Sequence, residues 1–167
     1  VNSGFTIGLM LQAYQLNKEH FEQIDTQIPE SNNNVPDLLD EIMYNLEWML
    51  TMQDPDDGGV YHKLTTPNFE AFVMPVDCKQ DRYVVQKSTQ AALDFAATMA
   101  LAARIYKDYP QYQPFCKIAA NAAQRAYAWA VRFPKNYYTQ QDNNSKYDPD
   151  VNTGTYDDND ADDEFFW

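Results

Sequence analysis

Apolar residues recur at helical spacing in four stretches of this sequence. Phe5, Leu9, Ala13 and Leu16 fall on one face of a first helix, with Asn2 and Ser3 placed as caps. Leu39, Ile42, Met43, Leu46 and Leu50 form a second stripe, which opens at Pro36, a residue suited to a first helical turn, and runs to Gln53. Ser88 or Thr89 caps a third helix whose buried face is Ala92, Phe95, Ala96, Met99, Ala103 and Tyr106. The fourth runs from Phe115 through Ile118, Ala119, Ala122, Ala126 and Trp129 to Phe133, where Pro134 stops it. Alanine is frequent in the last two, so their axes can approach closely.

Alternation of the β type is confined to short pieces around Val60 to Leu64 and Tyr83 to Val85. The predicted class is therefore all-α, with long irregular connections at Thr51 to Lys87 and Pro134 to Asp163. Connections of that length are uncommon in a helical domain and usually carry function. No fixed-period repeat of the solenoid kind is present.

The chain has 167 residues, 44% of them apolar, enough for one core and too little for two. With 12 basic and 25 acidic residues its net charge is −13, which would repel a nucleic-acid backbone or an anionic membrane surface. The acid is concentrated: Asp142 to Glu164 holds nine carboxylates and one lysine, −8 of the −13. No run of 18 apolar residues can span a bilayer, and no signal-peptide pattern opens the chain. Cys78 and Cys116 are either one bridge or two free thiols, with no metal-ligand spacing. The terminal Phe165-Phe166-Trp167 is the kind of cluster that opens a buried helix, so the chain is read as a segment of a longer protein.

Three groups of residues could carry chemistry. The loop from Thr153-Gly154 to Asp163-Glu164 offers carboxylate, amide and carbonyl oxygens together, as calcium requires; otherwise it is a solvated acidic loop. Asp158, Asp160 and Asp162 match the first three EF-hand ligand positions, but Asp163 stands where that motif needs glycine, so an EF-hand fits poorly. Gly58-Gly59-Val60-Tyr61-His62-Lys63 presents a ring, an imidazole and an ammonium after a flexible turn. That trio suits a polyhydroxylated ligand or a purely structural role. Glycoside hydrolysis needs a carboxylic acid and a carboxylate; Asp37 with Asp40, or Asp56 with Asp57, are available pairs. The first two, in an opening helical turn, are expected to interact with the helix dipole instead.

Several segments taken in order resemble landmarks of glycoside hydrolase family 9. They are Val1-Asn2-Ser3-Gly4, Ile28-Pro29-Glu30-Ser31, Val35 to Glu41, Trp48 to Gln53, Gly58 to Lys63, Ser88-Thr89 with Leu93 to Ala97, Ala126 to Ala130, and Thr153-Gly154 to Trp167. The resemblance covers essentially the whole chain. It implies part of an (α/α)6 barrel, about four to five of twelve helices, with long functional loops and no second domain within residues 1–167. It implies a parent that hydrolyses β-1,4-glucan with inversion, of endoglucanase type, with xyloglucanase and exo-β-glucosaminidase as alternatives within the family. A non-catalytic acidic calcium-binding helical module is the alternative outside it.

The family's base-bearing Asp-Ala-Gly-Asp element and its acid glutamate match nothing in this sequence, so no catalytic residue is carried over, and residues 1–167 alone are expected to be inactive. The resemblance points to His62, Lys63 and Tyr156 as substrate-binding residues. It points to Thr153, Asp158, Asp160 and Asp163 as ligands of a structural calcium ion, with a weaker oxygen cluster at Glu30, Asn33 and Asp37, where helix capping is equally consistent. The implied partners are a β-glucan and the rest of the same catalytic domain. A polymeric substrate implies a secreted, periplasmic or cell-surface location.

Overall fold

The computed structural model describes every residue from Val1 to Trp167. Four long helices, α1 (Asn2–Leu16), α3 (Asp37–Leu50), α4 (Thr89–Tyr106) and α5 (Gln113–Arg132), carry the core. Three short ones, α2 (Lys18–Phe21), α6 (Gln140–Lys146) and α7 (Asp162–Phe166), lie in the connections. A two-stranded antiparallel ribbon joins β1 (Leu64–Thr65) to β2 (Tyr83–Val84), with Leu64 opposite Val84. Single 3-10 turns at Pro75–Asp77 and Pro110–Tyr112 complete the chain. No helix is long and apolar enough to cross a membrane.

Helix α4 is the centre of the arrangement, packed against α5 on one side and α1 on the other, with α3 against α1. Both helices of the α4–α5 pair bury alanines, Ala92, Ala96 and Ala102 on α4 and Ala119, Ala122, Ala123, Ala126 and Ala130 on α5. Alanine contributes little area per residue, but its small side chain lets two axes approach closely. Larger anchors supply the burial: Leu39, Ile42, Leu46, Phe95 and Met99 are essentially inaccessible, each worth about 1.5 to 3 kcal/mol on removal from water. Polar cross-links fix the relative rotation of the helices. The Tyr106 hydroxyl donates to the Leu39 carbonyl of α3, and the Thr98 hydroxyl donates to the Gly4 carbonyl of α1 at 3.1 Å.

The sequence pattern needs three corrections here. The stripe of Phe5, Leu9 and Leu16 is exposed, and α1 instead buries Ile7, Leu11 and Tyr14. The helix is apolar on two sides, and the packing of α4 selects the other side. Asn2 and Ser3 lie inside the first turn, which begins after Val1 without a side-chain cap. Ile118 in α5 and Phe133 just after it are exposed, because the alanine face is the buried one. Ser88 does cap α4, its hydroxyl accepting from the Ala91 N–H at 3.2 Å. Cys78 and Cys116 are both free thiols, the first exposed and the second half-buried.

Candidate functional site

The segment Val60–Thr65 runs antiparallel to Tyr83–Ser88 as an irregular ladder that continues β1 and β2 toward the start of α4. The His62 N–H donates to the Gln86 carbonyl at 3.0 Å, the Val85 N–H to the Lys63 carbonyl at 3.1 Å, and the Ser88 N–H to the Val60 carbonyl at 3.2 Å. This register carries the His62 side chain to the first turn of α4. There its Nδ1 lies 2.8 Å from the Ser88 hydroxyl, and its Nε2 lies 3.3 Å from the Thr155 carbonyl. A carbonyl only accepts, so Nε2 carries the proton, and Nδ1 accepts from Ser88, whose oxygen in turn accepts from Ala91. The ring stacks on Tyr138 with centroids 4.4 Å apart. Burial pushes its pKa down to about 4, with the positive charges of the Val1 amine and Lys63 acting in the same direction.

Lys63 is also buried, and its ammonium is aimed inward. It donates to the Gly154 carbonyl at 2.6 Å, Gln140 Oε1 at 2.9 Å and Thr153 Oγ1 at 3.4 Å, and lies 5.5 Å from the Tyr138 ring centroid. From the first turn of α4, Gln90 Nε2 donates to the Asp158 carbonyl at 2.9 Å. The loop that contains Tyr156 is thus held from below by three buried side chains.

His62, Lys63 and Tyr156 all line one cavity of about 240 Å³, together with Trp48, Met52, Tyr61, Asp94 and Phe95. The volume is below the range of about 300 to 1,000 Å³ usual for drug-sized ligands, so it offers a compartment for one ring. Trp48, at the end of α3, and Tyr156 are partly exposed and present aromatic surface there. Asp94 is the single acidic residue of the lining. Burial pushes its carboxyl up to about 6, against the pull of the Val1 amine and aided by the negative charge of Asp163. Of the substrate-binding residues expected from the sequence, Tyr156 offers a ring to this cavity, whereas the polar atoms of His62 and Lys63 are engaged inside the protein. Trp48, Gln90, Asp94 and Tyr138 were not singled out as site residues by the sequence pattern.

Of the carboxylates suggested by the sequence, Asp37, Asp40 and Asp57 are held in structural contacts, and Asp56 is exposed with only its backbone N–H bonded, to Asp54 Oδ1 at 2.8 Å. Asp37 Oδ2 accepts from the Thr26 N–H at 2.6 Å and from the hydroxyls of Thr26 and Ser31 at 2.8 and 2.9 Å, which holds its carboxyl below the usual range. Asp40 accepts from Asn33 and from the Tyr112 hydroxyl. Asp54 and Asp57 share the Lys87 ammonium at 2.6 and 2.8 Å. The hydrogen bond from Lys87 draws Asp54 down to about 2.

The residues expected to hold calcium are engaged with other protein groups or exposed in this structure. Thr153 Oγ1 is taken by the Thr65 hydroxyl at 2.6 Å and by Lys63. Asp158 and Asp160 each accept from the backbone N–H two residues on, at 3.0 Å in both cases, and their side chains with that of Asp163 are exposed. Glu30 points to solvent while Asn33 and Asp37 are engaged in the turn ahead of α3. Nowhere do three His, Cys, Asp or Glu side chains gather as a metal-holding group.

The family model for glycosyl hydrolase family 9 matches residues 1–167. A xyloglucan-specific endo-beta-1,4-glucanase of Bacteroides ovatus, BoGH9A, is 61% identical over 168 residues, which cover all of this chain and 29% of that protein. Endoglucanase D of Acetivibrio thermocellus is 43% identical over 143 residues, 84% of this chain and 22% of that protein. Among solved structures, a Bacteroides ovatus family 9 protein superposes with a TM-score of 0.97 at 61% identity, covering 99% of this chain and 30% of that one. The chain therefore spans roughly 30% of the length of these relatives.

Proposed function

We propose that this chain, which belongs to glycosyl hydrolase family 9, forms one part of the catalytic domain of an endo-β-1,4-glucanase that acts on xyloglucan. The observation that carries the reading is the uninterrupted match to the family along residues 1–167, joined to 61% identity with a relative named for xyloglucan. The helices and the loop ending at Tyr156 then form one wall of a cleft in which Trp48 and Tyr156 take the faces of sugar rings. Aromatic rings suit this task, since a sugar presents C–H groups on its faces and hydroxyls at its rim.

Inverting hydrolysis requires a carboxylic acid at the leaving oxygen and a carboxylate that activates water from the opposite face, about 6.5 to 9.5 Å away. The cavity lining holds one acidic residue, Asp94, and therefore no acid–base pair. The acid and base are assigned to segments outside residues 1–167, and this piece on its own is inactive in the proposal. A polymeric substrate supports a secreted, periplasmic or cell-surface location.

The test is reducing-end release by the full-length protein on xyloglucan, carboxymethylcellulose and chito-oligosaccharides, with the isolated 167-residue chain in parallel. Xyloglucan is expected to be cut fastest and at internal bonds, and the isolated chain to cut nothing. Release from chito-oligosaccharides alone would assign an exo-glucosaminidase, and no release from any β-1,4-glycan would overturn the hydrolase reading.

A further inference from the structure

The loop Thr153–Asp158 adopts a conformation that its own residues do not favour. Tyr156 has φ of 55°, in the left-handed region that a residue with a side chain rarely adopts. Its ring folds back over Gly154, where an added Cβ would lie 3.0 Å from the ring carbon Cζ and the hydroxyl. Such a shape persists only where surrounding groups impose it. Here those groups are buried and come from two other parts of the chain. Lys63 takes the carbonyl of residue 154, His62 that of residue 155, and Gln90 that of residue 158.

Of the three, Lys63 is the one that carries a charge. It is 9% exposed and has no carboxylate within ion-pair distance. Its three N–H groups face three neutral oxygens, on Gln140 of α6, Thr153 and Gly154. A buried charge is tolerated only when its donors are all matched. An ammonium surrounded by side-chain and carbonyl oxygens is what a bound cation would otherwise provide, and it lies at the Thr153-Gly154 turn where the sequence suggested calcium.

We propose that Lys63 is a positioning residue whose ammonium acts as a built-in cation, tying the Thr153–Asp158 loop to α6 and the ribbon so that Tyr156 stays over the sugar cavity without a metal ion. The claim about substrate rests on the glucanase reading above; the claim about the loop stands on the geometry alone.

The experiment uses the full-length protein with Lys63→Met, which keeps the length of the side chain and removes its donors, and Gln140→Leu, which removes one acceptor from the exterior side. Backbone hydrogen exchange at residues 153–158 reads the loop, and kcat and KM on a xyloglucan oligosaccharide are measured separately. In Lys63→Met, protection of the loop amides is expected to fall at least about tenfold while α4 and α5 keep theirs, and KM to rise about tenfold with kcat within about threefold. Gln140→Leu shifts both in the same direction by about threefold. Treating the wild type with a calcium chelator leaves loop protection unchanged.

Unchanged protection and KM in Lys63→Met would overturn the proposal, as would a chelator that unfastens the wild-type loop. A fall in kcat at constant KM would also count against it, because the loop would then serve chemistry instead of binding. If Lys63→Met does not fold, Gln140→Leu decides by the same readouts. If the full-length protein cuts no β-glucan, the glucanase reading fails while hydrogen exchange still judges the clamp.

Discussion

His62 makes the fold sensitive to acid in a way that one substitution isolates. Its neutral ring accepts from Ser88 and donates to Thr155, while burial holds its pKa near about 4, against an ordinary value of 6.5. Protonation forces Nδ1 to become a donor toward Ser88, in a site closed to water. Because the folded pKa is depressed, the stabilisation is fully present above the unfolded value and is lost as pH falls from 6.5 toward 4. The full shift corresponds to about 3 kcal/mol, and the part lost between about pH 8 and pH 5 is about 2 kcal/mol. Part of the depression comes from the Val1 amine, so where Val1 is joined to a preceding residue the loss is smaller. His62→Gln retains a donor and an acceptor but does not titrate. Urea unfolding of both proteins over this pH range should show their stability difference shrinking by about 1 to 2 kcal/mol toward acid. A difference that stays flat, or an NMR titration placing the ring at an ordinary pKa, would refute the buried neutral tautomer.

Two further substitutions test the frame of the site. Gly58 has φ of 85°, and a Cβ there would lie 2.9 Å from Arg125 Cβ and 3.1 Å from its carbonyl oxygen. Gly58→Ala is expected to cost about 2 to 4 kcal/mol in chemical denaturation, from the left-handed backbone together with the overlap on α5; a loss under about 0.5 kcal/mol would contradict the close approach. Asp94 has its pKa raised to about 6 from 3.8, so the stabilisation tied to its protonated form is complete below 3.8 and lost as pH rises through 6. Asp94→Asn should therefore be more stable than wild type by about 1 to 2 kcal/mol at about pH 8 and nearly equal at about pH 4. A variant less stable at the higher pH would mean that the carboxylate has a partner.

Periodicity located α3 and α5 because each pairs an apolar face with a polar one, and α4 because a long apolar run follows the Ser88 cap, while Pro134 marks an end whose chemistry is local. It misassigned the face of α1 for an identifiable reason. Ile7, Leu11 and Tyr14 form one apolar stripe, Phe5, Leu9 and Leu16 another, and which one is buried is settled by the neighbouring helix. Helix α6 was invisible for the opposite reason. Its sequence Gln-Gln-Asp-Asn-Asn-Ser-Lys has no apolar residue, and the helix is started by the Thr139 hydroxyl, which accepts from the Asp142 N–H at 3.3 Å.

The site was legible as a set of positions and illegible as a set of contacts. Motif resemblance brought His62, Lys63 and Tyr156 together although about 90 residues separate the pair from the tyrosine, and the structure does line one cavity with them. What each does depends on partners that no local pattern names: Ser88 and Thr155 for the imidazole, Gln140 and Gly154 for the ammonium. The acidic loop shows the same limit. Nine carboxylates in a short stretch suggested a cation between them, since like charges held close need compensation. Asp157, Asp158, Asp160, Asp162 and Asp163 instead face water, where a high dielectric and dissolved ions screen their repulsion within about 10 Å. The positive charge that organises the loop lies on its inner side, contributed by a lysine about 90 residues earlier and directed at carbonyl and hydroxyl oxygens. Charge counting along the chain therefore located the loop, but not the lysine ammonium that the structure places on its inner side.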